Sequence, residues 1–291
     1  MKDDIITMAA DGDIIMNVGP HPIKKFRVHS SILKASSRVF SAMLGPNFAE
    51  GQQLLVDGRQ DPATIKLPED DSMAMEAIFN ILHHHINRLP EPKDIVYYEI
   101  AIAANKYDLA PHIRYIMLGT MTDFVNDFDK IKHNLETRQV WQLAMASAYF
   151  GHAHAFKVFT KWLVINTSDD LSIFTHTNNL NQVLALKTCI YIEVQRKECR
   201  QLVFDKIMEV CSTTDGERRT LTFDLRETEE DNWDTSRFFA ASIQDLLFYV
   251  EASVTYCGNT LGWDMQDELD AYNLVHPVEE LAGLNLAGLR D

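Results

Sequence analysis

Cysteine is scarce in this chain, and positive charge is outnumbered. The four cysteines among 291 residues, Cys189, Cys199, Cys211 and Cys257, all lie in the second half, and no two stand at C-x-x-C spacing. Reduced, mostly buried thiols are therefore expected. Lys and Arg number 27 against 42 Asp and Glu, a net charge of −15. Binding to a phosphate backbone needs clustered Lys and Arg, so the balance argues against general affinity for nucleic acid. Attraction to an anionic membrane surface is disfavoured for the same reason. No apolar run approaches the roughly 18 residues that a membrane-spanning helix needs. The opening, MKDDIITMAADGD, is acidic and carries no targeting pattern. Together these features make the cytoplasm, the nucleus or both the expected location.

Catalytic signatures are missing as well. There is no G-x-S-x-G, no H-E-x-x-H and no Gly-rich phosphate loop. His29-Ser30-Ser31 sets a base beside hydroxyls, but adjacency in sequence does not put them within reach in space. No catalytic residue, cofactor or metal site is expected. No internal repeat with a period of about 20 to 50 residues is visible.

What is present suffices for about two domains of roughly 150 residues each, with a hydrophobic content of 46% that is ample for packed cores. The chain is organised around Phe26 to Glu50, FRVHSSILKASSRVFSAMLGPNFAE. Phe26-Arg27-Val28 reads as the end of a strand. Ile32-Leu33 and Val39-Phe40-Met43-Leu44 are short helical pieces, with Ser36 or Ser37 placed to cap the second. Gly45-Pro46-Asn47 stops that helix, and Phe48-Ala49-Glu50 is expected in an exposed loop.

Around this stretch, residues 1 to 12 read as an acidic lead. Ile14 to Val18 is a buried strand, paired antiparallel with Phe26 to Val28 after a turn over His21 to Lys25. Asp57-Gly58 and Asp61-Pro62 punctuate the chain before a third strand, Thr64 to Leu67. Asp70 or Asp71 can cap a helix carrying Met75, Ile78, Phe79 and Leu82 on one face. Leu89 to Pro92 is a break. Tyr97, Ile100, Ala101, Ala104 and Leu109 mark another helix, limited by Pro111, and His112 to Met117 begins the next.

From about residue 120 the pattern is helical only. Phe124, Val125, Phe128 and Ile131 form one stripe. Val140, Leu143, Ala144, Ala148 and Phe150 form a second, and Phe156, Phe159, Leu163 and Val164 a third. Leu186, Ile190 and Val194, then Val203, Ile207 and Val210, form a fourth with a break near Gln195 to Arg200. Asp215 to Trp233 is charged and poor in aliphatics, a linker in which Leu221 to Leu225 suits a short strand. Ile243, Leu246, Leu247, Val250 and Val254 mark a last helix, and Val278 to Leu286 can dock from an otherwise irregular tail.

Several of these pieces resemble a known family. Asp13-Ile14-Ile15-Met16-Asn17-Val18, then Phe26-x-Val28-His29-Ser30-x-Ile32-Leu33, then Ser37-x-x-Phe40-x-x-Met43-Leu44, resembles the opening of a BTB/POZ domain. Ile65 to Asp70 resembles that family's third strand, and Ala77 to His83 the helix after it. Ala101-x-x-Ala104-Asn105-Lys106-Tyr107-Asp108-Leu109 resembles its A-x-x-x-x-K-Y-x-L helix. The spacing around Asp57-Gly58-Arg59 is similar to the fungal branch, and Trp141 to Leu163 is loosely similar to a BACK domain. The resemblance implies an α+β fold, a small sheet capped by helices, followed by an all-helical domain. The expected segments are an acidic lead (1–12), a BTB/POZ domain (13–118), a BACK-like helical domain (119–213), a charged linker (214–234) and a C-terminal helix and tail (235–291).

The resemblance also implies a protein-interaction adaptor. Phe48-Ala49-Glu50 is similar to the hydrophobic-x-Glu motif with which BTB adaptors contact the cullin scaffold of ubiquitin ligases. An aromatic fills a groove on the partner and a carboxylate fixes register, with Phe40 and Met43 in support. The plainer reading folds Phe48 onto its own core and leaves Glu50 solvated. Asp13 and His29 are matched family positions and are expected as a buried polar pair of architectural importance. The family commonly dimerises through an N-terminal helix and strand. The few residues ahead of Asp13 leave little room for that helix, so a homo-oligomer is expected only without the family's usual dimer helix. The client is unknown. The alternatives are a self-assembling or transcription-associated scaffold without a cullin, and an enzyme with an unrecognised active site.

The histidine clusters are read as structural. Consecutive residues on a helix point about 100° apart, so His83-His84-His85 cannot chelate one ion and is expected as a helix end with solvated imidazoles. His152-x-His154 lacks Cys or carboxylate partners at zinc-finger spacing. Cys189 and Cys199 are read as small core residues.

Overall fold

The computed structural model describes residues 5–20, 22–57, 62–85, 96–176, 180–212 and 242–247, with positions 278 and 282. The chain is α+β and divides into two compact units, Met1–Leu135 with Met145–His152, and Glu136–Ala144 with Ala153–Asp291.

The first unit is built on a mixed four-stranded sheet. Its strands are β1 (Ile5–Thr7), β2 (Ile14–Val18), β3 (Lys24–Val28) and β4 (Ala63–Leu67), in the order β1-β3-β2-β4. β2 and β3 form the antiparallel hairpin, and β4 lies parallel to β2 on the other side. Met16 stands opposite both Phe26 and Ile65, and Ile14 opposite both Val28 and Ala63. Period-two alternation therefore puts all six on one buried face. The acidic lead is corrected: Ile5–Thr7 is a strand, parallel to β3. Three residues are too few for an alternation to show, and the strand is held by tertiary pairing, continued by the amides of Met8 and Ala9 on the Arg27 carbonyl.

A helical hairpin follows, α1 (Ser30–Ser36) and α2 (Arg38–Met43). Ser37, not Ser36, caps α2: its hydroxyl accepts from the Phe40 amide at 2.9 Å, while the Ser36 hydroxyl donates back to the Ile32 carbonyl. The loop expected at Phe48–Glu50 is also corrected. Helix α3 (Ala49–Asp57) starts there, and the Phe48 carbonyl accepts from the Gln52 amide at 3.0 Å.

Helix α4 (Ser72–Leu82) is capped by Asp71, whose carboxylate accepts from the amides of Met73 and Ala74. It lies on the sheet with Phe79 edge-on to Phe26, ring centres 5.5 Å apart. α5 (Tyr97–Lys106) and α6 (Ala110–Ile131) follow, with Pro111 in the first turn of α6, where a missing N–H costs nothing. α6 is one helix, so the expected boundary at 118/119 falls inside it. The turns expected at Gly58, Asp61 and Leu89–Pro92, and His21 of the hairpin turn, lie outside the described residues.

The chain continues with α7 (Thr137–Phe150), α8 (Ala153–Asn166), α9 (Ser172–Thr175) and α10 (Gln182–Ser212). The expected stripes of α7 and α8 are buried. α10 departs from expectation twice. It runs unbroken through Gln195–Arg200, and Leu186, Ile190 and Val194 are exposed. The buried row is Ala185, Cys189, Ile192, Arg196, Cys199 and Val203. Two faces of α10 carry apolar residues at helical spacing, and the face with small side chains is the one that packs. Asp215–Trp233, Val250, Val254 and Leu286 lie outside the described residues; Ile243, Leu246, Leu247 and Val278 are buried.

Candidate partner-binding surface

The surface proposed from sequence sits where α2 gives way to α3. Phe40, on the inner side of α2, is fully buried and stacks on Tyr107 with ring centres 4.4 Å apart and planes 8° from parallel. It supports the surface from below and is no contact residue. Val39, beside it, is exposed, and Met43, one turn on, is half-buried. Phe48 opens α3 with 51% of its surface in water, and does not fold onto the core. Glu50 is half-buried in the first turn of α3, where a carboxylate meets the positive end of the helix dipole. The arrangement gives an exposed aromatic at a helix start, a carboxylate in the first turn, and a buried ring holding α2 from behind.

The node beneath this surface was not read from the sequence. Tyr107 donates its hydroxyl to Asp70 at 2.7 Å, and Lys106 binds the other Asp70 oxygen at 2.9 Å. The Ser37 hydroxyl donates to the Tyr107 carbonyl. Burial, then the hydrogen bond and charge of Asp70, push the Tyr107 phenol far above its ordinary range. The adjacent acids Asp70 and Asp71 looked interchangeable as caps. One caps α4 while the other is buried and ties α5 to the head of α4.

Asp13 and His29 are half-buried and do not pair with each other directly. Asp13 accepts from the Ser30 amide at 2.7 Å and the Ser30 hydroxyl at 2.6 Å, fixing the start of α1 to the start of β2. Burial pushes its carboxyl upward, but the hydrogen bonds it accepts, those of Ser30 foremost, together with the nearby His29 hold it below the ordinary carboxylate range. His29 meets Asp11, Nε2 to Oδ1 3.0 Å.

The histidine run does end α4, but only partly as expected. His84 sits at φ 61°, His85 donates its amide to the Asn80 carbonyl at 2.7 Å and His84 to that of Ile81 at 3.1 Å. This is a Schellman ending with histidine where glycine is usual. His83 is buried, not solvated: its Nδ1 lies 2.9 Å from the Phe79 carbonyl and its Nε2 accepts the His29 amide at 3.2 Å. His152 pairs with Thr122, and among the described residues no group of three or more His, Cys, Asp or Glu is placed to hold a metal ion.

In the second unit the notable polar residue is Arg196, fully buried in the packed row of α10. Its guanidinium donates to the carbonyls of Asp169 at 2.9 Å and Leu163 at 3.0 Å, and to Glu193. It thereby pins α10 to the end of α8 and the loop beyond. The stretch expected as a break, Gln195–Arg200, holds this charged residue in the middle of the packed row. The regular spacing of Ala185, Cys189, Ile192, Cys199 and Val203 on either side was the signal that the helix continues. Cys189 and Cys199 are buried free thiols; burial raises both, Cys199 to about 11. A thiol so rarely ionised is a core group rather than a nucleophile. The outer face of α10 exposes Val183, Leu186, Ile190, Tyr191 and Val194.

Among the described residues no helix is long and apolar enough to cross a membrane. Comparison with protein-family models, curated proteins and solved structures finds no match.

Proposed function

We propose that the chain is a protein-interaction adaptor of the BTB/POZ type, working in the cytoplasm or nucleus, with one scaffold-binding surface and one client-binding surface. The scaffold surface is the α2–α3 turn, with Phe48 as anchor and Glu50 as the register-setting acceptor. The scaffold it suits is a cullin N-terminal domain. The observation that carries this reading is Phe48 exposed at the head of α3 with Phe40 buried behind it. An exposed aromatic at the head of a helix is available to fill a groove on a partner, and such residues dominate binding energy at interfaces. The motif order adds support: the β2–β3 hairpin, a helical hairpin, a strand parallel to β2, then helices. The outer stripe of α10 is the proposed client surface, because Val183, Leu186, Ile190 and Val194 repeat at three and four on its exposed side.

The test is a titration of the purified chain against a cullin N-terminal domain, with Phe48→Ala and Glu50→Ala alongside. The reading requires micromolar or tighter binding, weakened at least about tenfold by either change, with unaltered melting temperatures. A folded chain that does not bind refutes cullin docking. If its mass then rises with concentration, the chain is a self-assembling scaffold instead.

A further inference from the structure

We propose that His83 is a proton-operated latch between the end of α4 and the first turn of α1. Neutral, it accepts the His29 amide and holds α1 in place; protonated, it has to release that amide.

The geometry allows one tautomer. The Phe79 carbonyl, 2.9 Å from Nδ1, can only accept, so Nδ1 carries the proton. Nε2 is then left with its lone pair, and the His29 N–H points at it from 3.2 Å. Adding a proton to Nε2 sets two donors against each other. The site offers the new charge little. His83 is buried, and the nearly parallel His29 ring lies 6.2 Å away, centre to centre. His84 and His85 stand on its own helix end. From the chain ahead of β2 the carboxylates are Asp11, engaged with His29, and Asp13, engaged with Ser30. Burial first, and then the neighbouring histidines, hold His83 below the ordinary imidazole value despite the Phe79 bond.

The amide that is released matters. His29 is the N-terminal flanking residue of α1, and its own side chain makes no capping bond. The start of α1 is thus held by the Asp13–Ser30 bonds on one side and by His83 on the other. Loss of the second contact frees the α1 end from α4. The sign follows from linkage. A histidine whose folded value lies below its unfolded value binds fewer protons in the native state. Its contribution is complete above the unfolded value of about 6.5 and is lost as the pH falls below it.

The test is NMR on the full chain, following ring ¹⁵N shifts and the His29 amide from pH 7.5 to 5. The expected result is an Nδ1–H tautomer for His83 at neutral pH and titration below the ordinary imidazole value of about 6.5. The His29 protection factor should fall by up to about tenfold for each pH unit below about 6.5 and level off once the His83 midpoint is passed, because one proton is taken up on release. In His83→Gln, whose amide oxygen accepts but does not titrate, protection at position 29 should be flat with pH. An Nε2–H tautomer, titration at or above that ordinary value, or a His29 amide indifferent to His83 protonation overturns the proposal. Should the variant not fold, the wild-type ring and amide titrations still decide.

Discussion

The carbonyl oxygen of Gly45 lies 1.7 Å from where a Cβ on Gly51 would stand. Real Cβ atoms do not approach oxygen so closely, so the first turn of α3 rests directly on the turn that ends α2. This backbone contact, possible only for glycine, places Phe48. Gly51→Ala is expected to push α3 away and to cost about 1–3 kcal/mol, read by urea denaturation. Gly119 is the control. It sits inside α6 with nothing within 4 Å of its would-be Cβ, so Gly119→Ala should stabilise by about 0.5–1 kcal/mol.

Tyr107 and Asp70 couple two helices through one short bond. Tyr107→Phe keeps the ring stacked on Phe40 and deprives a buried carboxylate oxygen of its donor. A loss of about 1–3 kcal/mol at neutral pH is expected, by chemical denaturation. The folded phenol lies above its unfolded value of about 10. The wild type should therefore keep this contribution below pH 10 and lose it as the pH rises further, whereas the Phe variant should lack that part of the alkaline dependence.

His84 and Asp108 both occupy left-handed conformations, at φ 61° and 51°. Each ends a helix, α4 and α5, with the Leu109 amide returning to the Ala104 carbonyl at 2.8 Å in the second case. His84→Gly should raise stability by about 1 kcal/mol, since the imidazole gains nothing from the strained backbone. Asp108→Gly should gain less, because Asp tolerates this region better. Melting curves of the two variants, measured together, check the order.

Ile190 and Ile192 stand two residues apart on α10 and face opposite ways, one 62% exposed and the other fully buried. Ile190→Ala should change stability by less than about 0.5 kcal/mol. Ile192→Ala should cost about 2–5 kcal/mol. Equal effects, measured by chemical denaturation, would show that the outer stripe is packed after all.

Where a pattern is local, it was readable from the chain. The alternation of Ile14, Met16 and Val18, the cap choice narrowed to two serines, and the breakers at Gly45-Pro46 all act through the nearest few residues. The α+β class followed from them, whereas Phe48 became a candidate only through the resemblance of Phe48-Ala49-Glu50 to a hydrophobic-x-Glu motif. Tertiary structure decided what depends on choosing between equivalent local options. It made Ser37 the cap by giving its hydroxyl a second partner in Tyr107, and it buried Asp70 while leaving Asp71 at the surface. It paired Ile5–Thr7 with β3, a contact across about twenty residues that three side chains cannot announce. It also chose the inner face of α10: either face is amphipathic, but only the one with Ala185, Cys189 and Cys199 lets neighbouring backbone come close, and only there do the carbonyls of Leu163 and Asp169 receive Arg196. Local propensity sets which elements form. Close packing and the need to satisfy every buried polar group set which face of each element turns inward.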